Sequence, residues 1–288
     1  MHGNHAGGRH NGLSHPRPRD LSSHLSSVLH EKITAREVRM TEPYAVLAGF
    51  YDRLMEDTDY GAWVSFYLRC FEKFGIRPEK ILDLACGTGN ITLPLAAHGY
   101  DMTGIDASAE MLCLARKKAD DRGLRVCLSE QNIAAFNAGG ICDAAICSFD
   151  SVNYLTVTAD VSSCFSRVYE TLAGGGLFLF DVNTPYKYKQ IFADNAFVYE
   201  YEDLFVIWQN EYHEKSRLCD FYLTFFVKDE PKSIWHRFDE NQRQRCYAIG
   251  TLKKKLSEAG FSHVETFADT DFSPLSPDSQ RCFFVCVK

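Results

Sequence analysis

From residue 80 to residue 181, short apolar runs alternate with segments in which apolar residues recur every three or four positions. The first pattern predicts buried strands and the second predicts amphipathic helices. Strands are predicted at residues 80–85, 101–106, 124–128, 143–149 and 176–181. Helices are predicted at residues 59–74, 90–98, 108–121 and 160–172. Because strands and helices alternate, the pattern favours an α/β fold with a mostly parallel, doubly wound sheet.

The pattern changes between residues 191 and 246, where no helical period is found. Extended runs rich in aromatic and β-branched residues are separated by short polar turns, which predicts an antiparallel meander. The runs are residues 197–201, 204–208, 219–227 and 233–238. Ligands of open α/β sheets bind beyond the carboxyl ends of the strands, so we interpret this insertion as a lid over that site. An edge extension or a dimer surface is the alternative interpretation.

After the insertion, the chain returns to the first pattern. A helix is predicted at residues 248–259, where Gly260 would end it, followed by strands at 262–268 and 281–287. The predicted organisation is therefore an α/β domain made of residues 41–190 and 247–288, with an inserted antiparallel β subdomain at residues 191–246.

Residues 1–40 have a different composition from the rest. They hold six of the ten histidines together with many glycines, serines and prolines, and they contain few large apolar residues. Such a segment cannot bury a core, so we expect a disordered N-terminal extension. Metal binding by the histidines and a transit peptide are the other interpretations.

Bulk composition narrows the class of protein. With 288 residues, 45% apolar and 24% charged, the chain can bury one substantial core. The eleven cysteines form no C-x-x-C pair, which favours free thiols in a reducing compartment and no metal site. No apolar run reaches membrane-spanning length. Because the free thiols favour a reducing compartment, we expect a cytoplasmic protein. The net charge is −7, and an acidic surface argues against a nucleic-acid partner.

The candidate chemistry begins at residues 81–90, where an apolar run ends in Asp83 and turns on Gly87 and Gly89. A strand, a glycine loop and a helix start hold a nucleotide-like ligand against the main chain, because glycine has no Cβ. The loop lacks the third glycine of a dinucleotide fingerprint and the Gly-Lys-Ser/Thr of a P-loop. Asp83 would also repel a pyrophosphate, so phosphate binding is not indicated.

A second acid, Asp106, ends the next predicted strand 17 positions after Gly89. An acid at that point of a doubly wound sheet can accept hydrogen bonds from both hydroxyls of a ribose. Ser108 is placed to cap the helix that follows. The two motifs in register predict a site for a nucleoside-containing ligand.

Residues 82–89 and 104–112 together resemble the class I S-adenosylmethionine-dependent methyltransferases, in particular those that act on small molecules. The resemblance runs from about Tyr44 to the C-terminus. It implies a Rossmann-like, seven-stranded sheet with an antiparallel C-terminal edge strand, and S-adenosylmethionine as cofactor. It also implies in-line transfer of a methyl group to a nitrogen or oxygen of a small-molecule acceptor, with S-adenosylhomocysteine as product.

The resemblance further implies which positions contact the cofactor. The implied cofactor-binding residues are Tyr44, Tyr51, Asp83, Ala85, Gly87, Gly89, Asn90, Asp106, Ala107, Met111, Asn132, Ile133, Phe149 and Asn153. Asn132 stands where the family usually has an acid that contacts the adenine amino group. Its side-chain carbonyl can accept the same proton.

No catalytic residue stands out. Tyr154, which would face the acceptor, and His236, on the insertion, are the candidates. Gln242 stands where the family often has a histidine, so a base at that position is not available. An in-line displacement on an activated methyl group depends mainly on orientation, which agrees with the lack of a dedicated nucleophile.

Other functions compete with this one. A nicotinamide-dependent dehydrogenase would use the same sheet, but would need G-x-G-x-x-G and no acid at position 83. A non-catalytic S-adenosylmethionine-binding module would keep the glycine loop and lose the acceptor pocket. A protein or RNA methyltransferase is the third alternative. For the small-molecule enzyme we expect no nucleic-acid or membrane partner, and either a monomer or a homodimer.

Overall fold

The computed structural model describes residues 39–41, 44 and 46–288. The predicted disordered extension, residues 1–40, lies outside the described residues except for its last two. The strands are β1 (Arg39–Thr41), β2 (Lys80–Leu84), β3 (Asp101–Asp106), β4 (Cys127–Glu130), β5 (Cys142–Cys147), β6 (Leu172–Asn183), β7 (Ala196–Glu200), β8 (Leu204–His213), β9 (Leu218–Asp229), β10 (Ile234–Arg245), β11 (His263–Phe267) and β12 (Arg281–Val287). The α-helices are α1 (Leu47–Leu54), α2 (Tyr60–Lys73), α3 (Thr92–Ala97), α4 (Ala109–Asp121), α5 (Thr158–Thr171) and α6 (Ile249–Ala259).

The larger sheet has seven strands in the order β11-β12-β6-β5-β2-β3-β4. Strands β2 to β6 pair in parallel, and β12 is antiparallel to both β6 and β11. The predicted α/β fold is therefore confirmed. The antiparallel C-terminal strand is β12, and it lies one position inside the edge strand β11. Strand order reverses between β2 and β5, and this reversal opens a crevice at their carboxyl ends.

Local sequence signals explain where the helices begin and end. Helix α2 starts after Asp59, whose carboxylate accepts a hydrogen bond from the Ala62 N–H at 3.0 Å. Ser108 caps α4 as predicted, because its hydroxyl accepts from the Met111 N–H at 3.2 Å. Helix α6 ends at Gly260, which has a φ of 112° that favours glycine.

The core of this sheet lies on both faces of β6. Leu177 and Leu179 face α2, whereas Phe178 and Phe180 face α5 and α6. All four side chains are buried. Burial on both faces explains why β6 reads as a continuous apolar run, the pattern typical of a central parallel strand.

A second, smaller sheet has the order β1-β10-β9-β8-β7. Strands β7 to β10 are antiparallel, as the predicted meander requires, and β1 joins β10 in parallel. The inner face of this sheet packs against α1 and a π-helical turn, Lys187–Phe192. These contacts bring the second sheet beside the glycine loop, because α1 lies between the two.

Candidate active site

A cleft with an empty volume of ≈ 350 Å³ lies at the strand reversal, above the carboxyl ends of β2 and β5. The residues that line it are Tyr51, Tyr60, Asp83, Ala85, Cys86, Gly87, Thr88, Asn90, Ile91, Ser148, Phe149 and Ser151. A larger cleft, ≈ 490 Å³, lies at the opposite edge of the sheet, lined by residues 80–82, 101, 103 and 138–142. We favour the first cleft as the functional site, because the glycine loop and Asp83 line it.

The glycine loop turns through left-handed backbone conformations. Ala85, Gly87 and Gly89 have φ values of 57°, 55° and 82°. A Cβ on Gly89 would lie 3.2 Å from the Leu93 side chain and 3.3 Å from the Ala115 Cβ. Gly89 is therefore required both for the turn and for close packing against α3 and α4.

Asp106 is held in place by the main chain. Its Oδ2 accepts from the Gly87 N–H at 2.8 Å and its Oδ1 accepts from the Ser108 N–H at 2.9 Å. Burial raises the pKa of Asp106 above its ordinary value, while these N–H donors act in the opposite direction. Each oxygen keeps a second lone pair, so the carboxylate can accept further hydrogen bonds.

Asp83 lies deeper in the same crevice and is 1% exposed. Its Oδ2 accepts from the Thr92 hydroxyl at 2.5 Å. Burial raises the pKa of Asp83 to about 7, and the nearby Asp106 carboxylate adds to the rise. A buried acid with this pKa is stabilised in its charged form by a bound cation.

Helix α1 is fastened across the glycine loop by Asp52. One oxygen of this carboxylate accepts from the Thr88 hydroxyl at 2.6 Å and from the Asn90 amide at 2.8 Å. The other oxygen pairs with Lys118 at 2.7 Å, and Lys118 also donates to Asn90 at 2.7 Å. Helix α1 therefore forms a cover over the cleft.

The opposite wall is a loop with two consecutive left-handed residues, Phe149 and Asp150, whose φ values are 57° and 52°. The buried Asp181 carboxylate accepts from both N–H groups, at 2.8 and 2.9 Å. Arg281 bridges Asp181 and Asp150, at 3.0 Å from the latter. This network supports a backbone conformation that is otherwise unfavourable for non-glycine residues.

Aromatic rings back this wall. The Phe149 ring stacks on Trp63 with centroids 4.7 Å apart, and Tyr60 meets it edge-on at 5.3 Å. The Tyr60 hydroxyl and the Trp63 indole N–H are buried, and neither has a hydrogen-bond partner among the described residues. Polar atoms left in this state are rare in folded proteins.

A chain of hydrogen bonds joins the second sheet to the cover. Tyr154 donates to Gln242 at 2.8 Å, and Gln242 donates to Glu240 at 2.8 Å. The buried Glu240 carboxylate accepts from the N–H of Tyr44 at 2.8 Å and of Leu47 at 3.2 Å. Strand β10 thus fixes the start of α1.

Many of the residues named from the sequence come together here. Tyr51, Asp83, Ala85, Gly87, Asn90 and Phe149 line the cleft, and Asp106 is bonded to its rim. The Met111 and Ile133 side chains are buried nearby on α4 and after β4. Asn132 is exposed, and its carbonyl already accepts from the Ala134 N–H at 2.8 Å. Ala107 is also exposed, directly after Asp106.

Two of the residues lie differently from what the sequence suggested. Asn153 is fully buried, and its side chain bonds the Arg245 carbonyl and the Asn183 N–H, so it joins β10 to β6. His236 is half-exposed beside Asp229, six residues along β10 from Gln242, or roughly 20 Å at strand spacing. Tyr154 does reach the junction between cover and sheet.

Other residues at the site were not singled out from the sequence. The side chains of Tyr60 and Thr88 line the cleft, and Asp52 accepts a hydrogen bond from the Thr88 hydroxyl. A sequence signal exists for Tyr60, since it opens the predicted amphipathic helix α2. Asp52 lies within the stretch covered by the family resemblance, but its partner Thr88 is 36 positions away.

The described residues contain neither a membrane-spanning helix nor a cluster of metal ligands. No helix there has the length and apolar character needed to cross a membrane. No three or more His, Cys, Asp and Glu side chains are grouped there so as to hold a metal ion.

Comparisons with known proteins agree with this geometry. Residues 81–176 match a family described as "Methyltransferase domain". A provisionally named methyltransferase of Geobacillus sp. (strain WCH70) is 38% identical over 247 residues, which covers 85% of this chain and 99% of that protein. A glycine/sarcosine N-methyltransferase of Parasynechococcus marenigrum (strain WH8102) is 28% identical, covering 87% of this chain and 86% of that protein.

A solved structure is similar over most of the chain. It is an S-adenosylmethionine-dependent methyltransferase from Clostridium acetobutylicum ATCC 824, with a TM-score of 0.77 and 30% identity. The match covers 85% of this chain and 98% of that one, so nearly the whole of the solved structure has a counterpart here.

Proposed function

Since this chain belongs to the class I S-adenosylmethionine-dependent methyltransferases, we propose that it methylates a nitrogen or oxygen of a small-molecule acceptor. The observation that carries the proposal is the covered cleft. Helix α1 is fastened to the glycine loop through Asp52 and to the second sheet through Glu240. A cleft covered in this way suits a small molecule better than a protein or RNA segment.

Two further facts support a small acceptor. The whole chain carries a net charge of −7, which is unfavourable for RNA. The similar protein of Parasynechococcus marenigrum is named for methylation of glycine and sarcosine, which are small amines.

The residues of the cleft fit S-adenosylmethionine. Asp106 would accept from the ribose hydroxyls, and the glycine loop allows the methionine part to lie against the main chain. The Asp83 carboxyl, with its pKa near 7, suits a neighbouring ammonium group. Asn132 and Ile133 would border the adenine. When bound, this cofactor supplies an activated methyl group for in-line displacement.

The protein's own residues would orient the acceptor and exclude water. Helix α1 and the Phe149 loop close two sides of the cleft, which favours a fixed approach of the acceptor atom. Burial raises the pKa of Tyr44 and Tyr154 above the ordinary value, so both hydroxyls stay protonated near neutral pH. Tyr154 already donates its proton to Gln242, and neither hydroxyl acts as a ready base. An acceptor with a free lone pair is therefore favoured, such as an uncharged amine or an acidic hydroxyl.

The test uses the purified chain and S-adenosylmethionine with a deuterated methyl group. Incubation with a metabolite extract, with protein and with total RNA shows by mass spectrometry which fraction takes up the label. We expect label in the small-molecule fraction and none with Asp106→Ala. Label confined to protein or RNA would contradict the proposal. Binding of S-adenosylhomocysteine without transfer to any fraction would favour a non-catalytic binding module.

A further inference from the structure

Tyr60 presents a buried hydroxyl that the described residues leave without a well-formed hydrogen bond. Its side chain lines the cleft, and its ring packs edge-on against Phe149. A buried hydroxyl without a partner destabilises the protein, because its desolvation is not compensated. A ligand atom that accepts its hydrogen bond removes this penalty and so binds more tightly. The arrangement points to a ligand atom at this place.

Two polar side chains influence the Tyr60 hydroxyl: Asn90 lowers the pKa of Tyr60 as a hydrogen-bond donor, and the negative charge of Asp52 raises it. One hydrogen and one lone pair of the Asn90 amide are engaged elsewhere. Its amide nitrogen donates to Asp52 at 2.8 Å, and its carbonyl oxygen accepts from Lys118 at 2.7 Å. Asn90 thus acts as a donor toward the Tyr60 oxygen, and no described residue accepts the Tyr60 proton in a well-formed hydrogen bond, so that proton can be donated to a ligand.

The neighbours of Tyr60 identify which part of the ligand lies there. The cleft that it lines also includes Asp83, Thr88 and Asn90, but neither Asp106 nor Asn132. On the proposed function, on which this inference rests, Asp106 marks the ribose and Asn132 marks the adenine. Tyr60 therefore lies at the amino-acid end of the cofactor, which carries an ammonium group and a carboxylate.

The carboxylate needs donors, and the charged donors near the cleft are already paired. Lys118 is bound to Asp52 at 2.7 Å, and Arg281 bridges Asp150 and Asp181. The Thr88 hydroxyl also donates to Asp52. Asp83 is itself an acid, so it suits the ammonium group rather than the carboxylate.

We propose that the Tyr60 hydroxyl donates a hydrogen bond to the carboxylate of the methionine part of S-adenosylmethionine. Tyr60 is then a binding residue that recognises the amino-acid end of the cofactor. The hydroxyl keeps its proton at physiological pH, because burial raises the pKa of Tyr60 to about 12. A protonated hydroxyl against a carboxylate forms a charge-assisted hydrogen bond.

The test compares two ligands that differ in the amino-acid end. S-adenosylhomocysteine has the carboxylate, whereas 5′-methylthioadenosine has only the nucleoside thioether. We expect Tyr60→Phe to weaken S-adenosylhomocysteine binding by about 10- to 100-fold in calorimetric titration, the range for a hydrogen bond to a charged group. The affinity for 5′-methylthioadenosine should stay within about twofold of wild type. This ligand has no carboxylate, so neither wild type nor the variant can form the hydrogen bond with it.

Tyr100→Phe is the matched control, because this half-buried ring packs on Phe71 away from the cleft. It should change neither affinity. The melting temperature is a second readout, which shows whether the variant is folded. Without ligand, Tyr60→Phe should melt at or above the wild-type temperature, since it removes an unpartnered buried hydroxyl, but the rise in melting temperature with S-adenosylhomocysteine should shrink.

The inference is overturned if Tyr60→Phe weakens both ligands equally, or leaves both unchanged. It is likewise overturned if the unliganded variant melts well below wild type, because the hydroxyl would then have a structural partner. If wild type itself fails to bind S-adenosylhomocysteine, the proposed function fails, and that result is distinct from the outcomes that concern Tyr60.

Discussion

At the scale of single residues, Asp83 makes stability depend on pH in an unusual direction. Burial raises its pKa from an ordinary 3.8 to about 7 in the folded protein. Between these values the unfolded chain has lost the proton that the folded chain keeps, so stability falls as pH rises. Above pH 7 both states are ionised and the penalty is constant.

We therefore expect wild type to lose stability relative to Asp83→Asn as pH rises from 4 to 7. The difference in free energy of unfolding should change by up to about 4 kcal/mol and then level off. Urea denaturation at a series of pH values measures it, and the amide oxygen of the variant can still accept from the Thr92 hydroxyl. A difference that does not vary with pH would show that Asp83 ionises normally in the fold.

Asn210 offers a second residue-scale prediction. It is 6% exposed on β8, and neither its amide nitrogen nor its oxygen has a partner among the described residues. Asn210→Leu should raise the free energy of unfolding by about 1–2 kcal/mol, because it removes an unmet desolvation penalty. Asn153→Leu, the matched control, should lower it by about 1–3 kcal/mol, since two backbone groups lose their partner.

Thermal and urea unfolding of the two leucine variants would check this contrast. If Asn210→Leu is as destabilising as Asn153→Leu, an ordered water satisfies the Asn210 side chain, and the unmet desolvation penalty inferred for it is wrong.

The location of a side chain could be predicted from the sequence where neighbouring residues determine it. Asp83 and Asp106 end apolar runs, so their place at the carboxyl edge of the sheet followed from the pattern alone. Asn153 could not be predicted in the same way. Its hydrogen-bond partners lie 30 and 92 positions away along the chain. Only the packed fold shows that both the nitrogen and the oxygen of its amide are bonded to them.

At the scale of elements, helix α1 is attached to the glycine loop by a half-exposed carboxylate. Asp52→Ala removes the bonds to Thr88, Asn90 and Lys118. We expect amide exchange in α1 to speed up and S-adenosylhomocysteine affinity to fall roughly three- to tenfold, since solvent screens part of the interaction. Calorimetry and hydrogen exchange measure the two effects. Asp57→Ala, an exposed acid just beyond α1, is the control.

If Asp52→Ala changes neither exchange nor affinity, helix α1 is held by its apolar packing alone. If affinity falls without faster exchange, Asp52 contacts the ligand rather than the helix.

The loop after β5 depends on the buried pair between Arg281 and Asp181. Arg281→Met leaves the carboxylates of Asp181 and Asp150 without their cation, so we expect a loss of about 3–5 kcal/mol in the free energy of unfolding. Lys117→Ala, which breaks an exposed pair on α4, should leave it unchanged. Urea denaturation compares the two. Equal losses in the free energy of unfolding would mean that solvent screens the ion pair of Arg281 as fully as a surface ion pair.

Most elements could be predicted because their apolar period is strong, and the exceptions have a physical cause. Strand β4 was expected at residues 124–128 but occupies Cys127–Glu130. Its extent is set by pairing with Thr103 to Asp106 on β3, and not by its own apolar content. Strands β8 to β10 likewise run past their apolar stretches, since ladder hydrogen bonds continue through polar residues such as Gln209 and Asn241.

At the scale of the whole molecule, the two sheets are joined through the cover of the cleft. Glu240 on β10 accepts from the N–H groups of Tyr44, just before α1, and of Leu47, its first residue. Asp52, near the other end of α1, contacts the glycine loop. The sequence predicted both sheets but not this link, because Tyr44 and Glu240 are 196 positions apart. A ligand that stabilises the glycine loop should therefore also stabilise β10.

The last prediction follows from that link. At about 100 times its dissociation constant, S-adenosylhomocysteine should stabilise the liganded state by about 2.7 kcal/mol, which slows amide exchange about 100-fold wherever opening releases the ligand. We expect such slowing in both α1 and residues 238–246, and much less in β7 at the far edge. Glu240→Gln should reduce it in residues 238–246, whereas Glu200→Gln, on β7, should not. Protection confined to the larger sheet and α1 would mean that the second sheet opens independently of the cofactor site, so that the acceptor could enter while the cofactor stays bound.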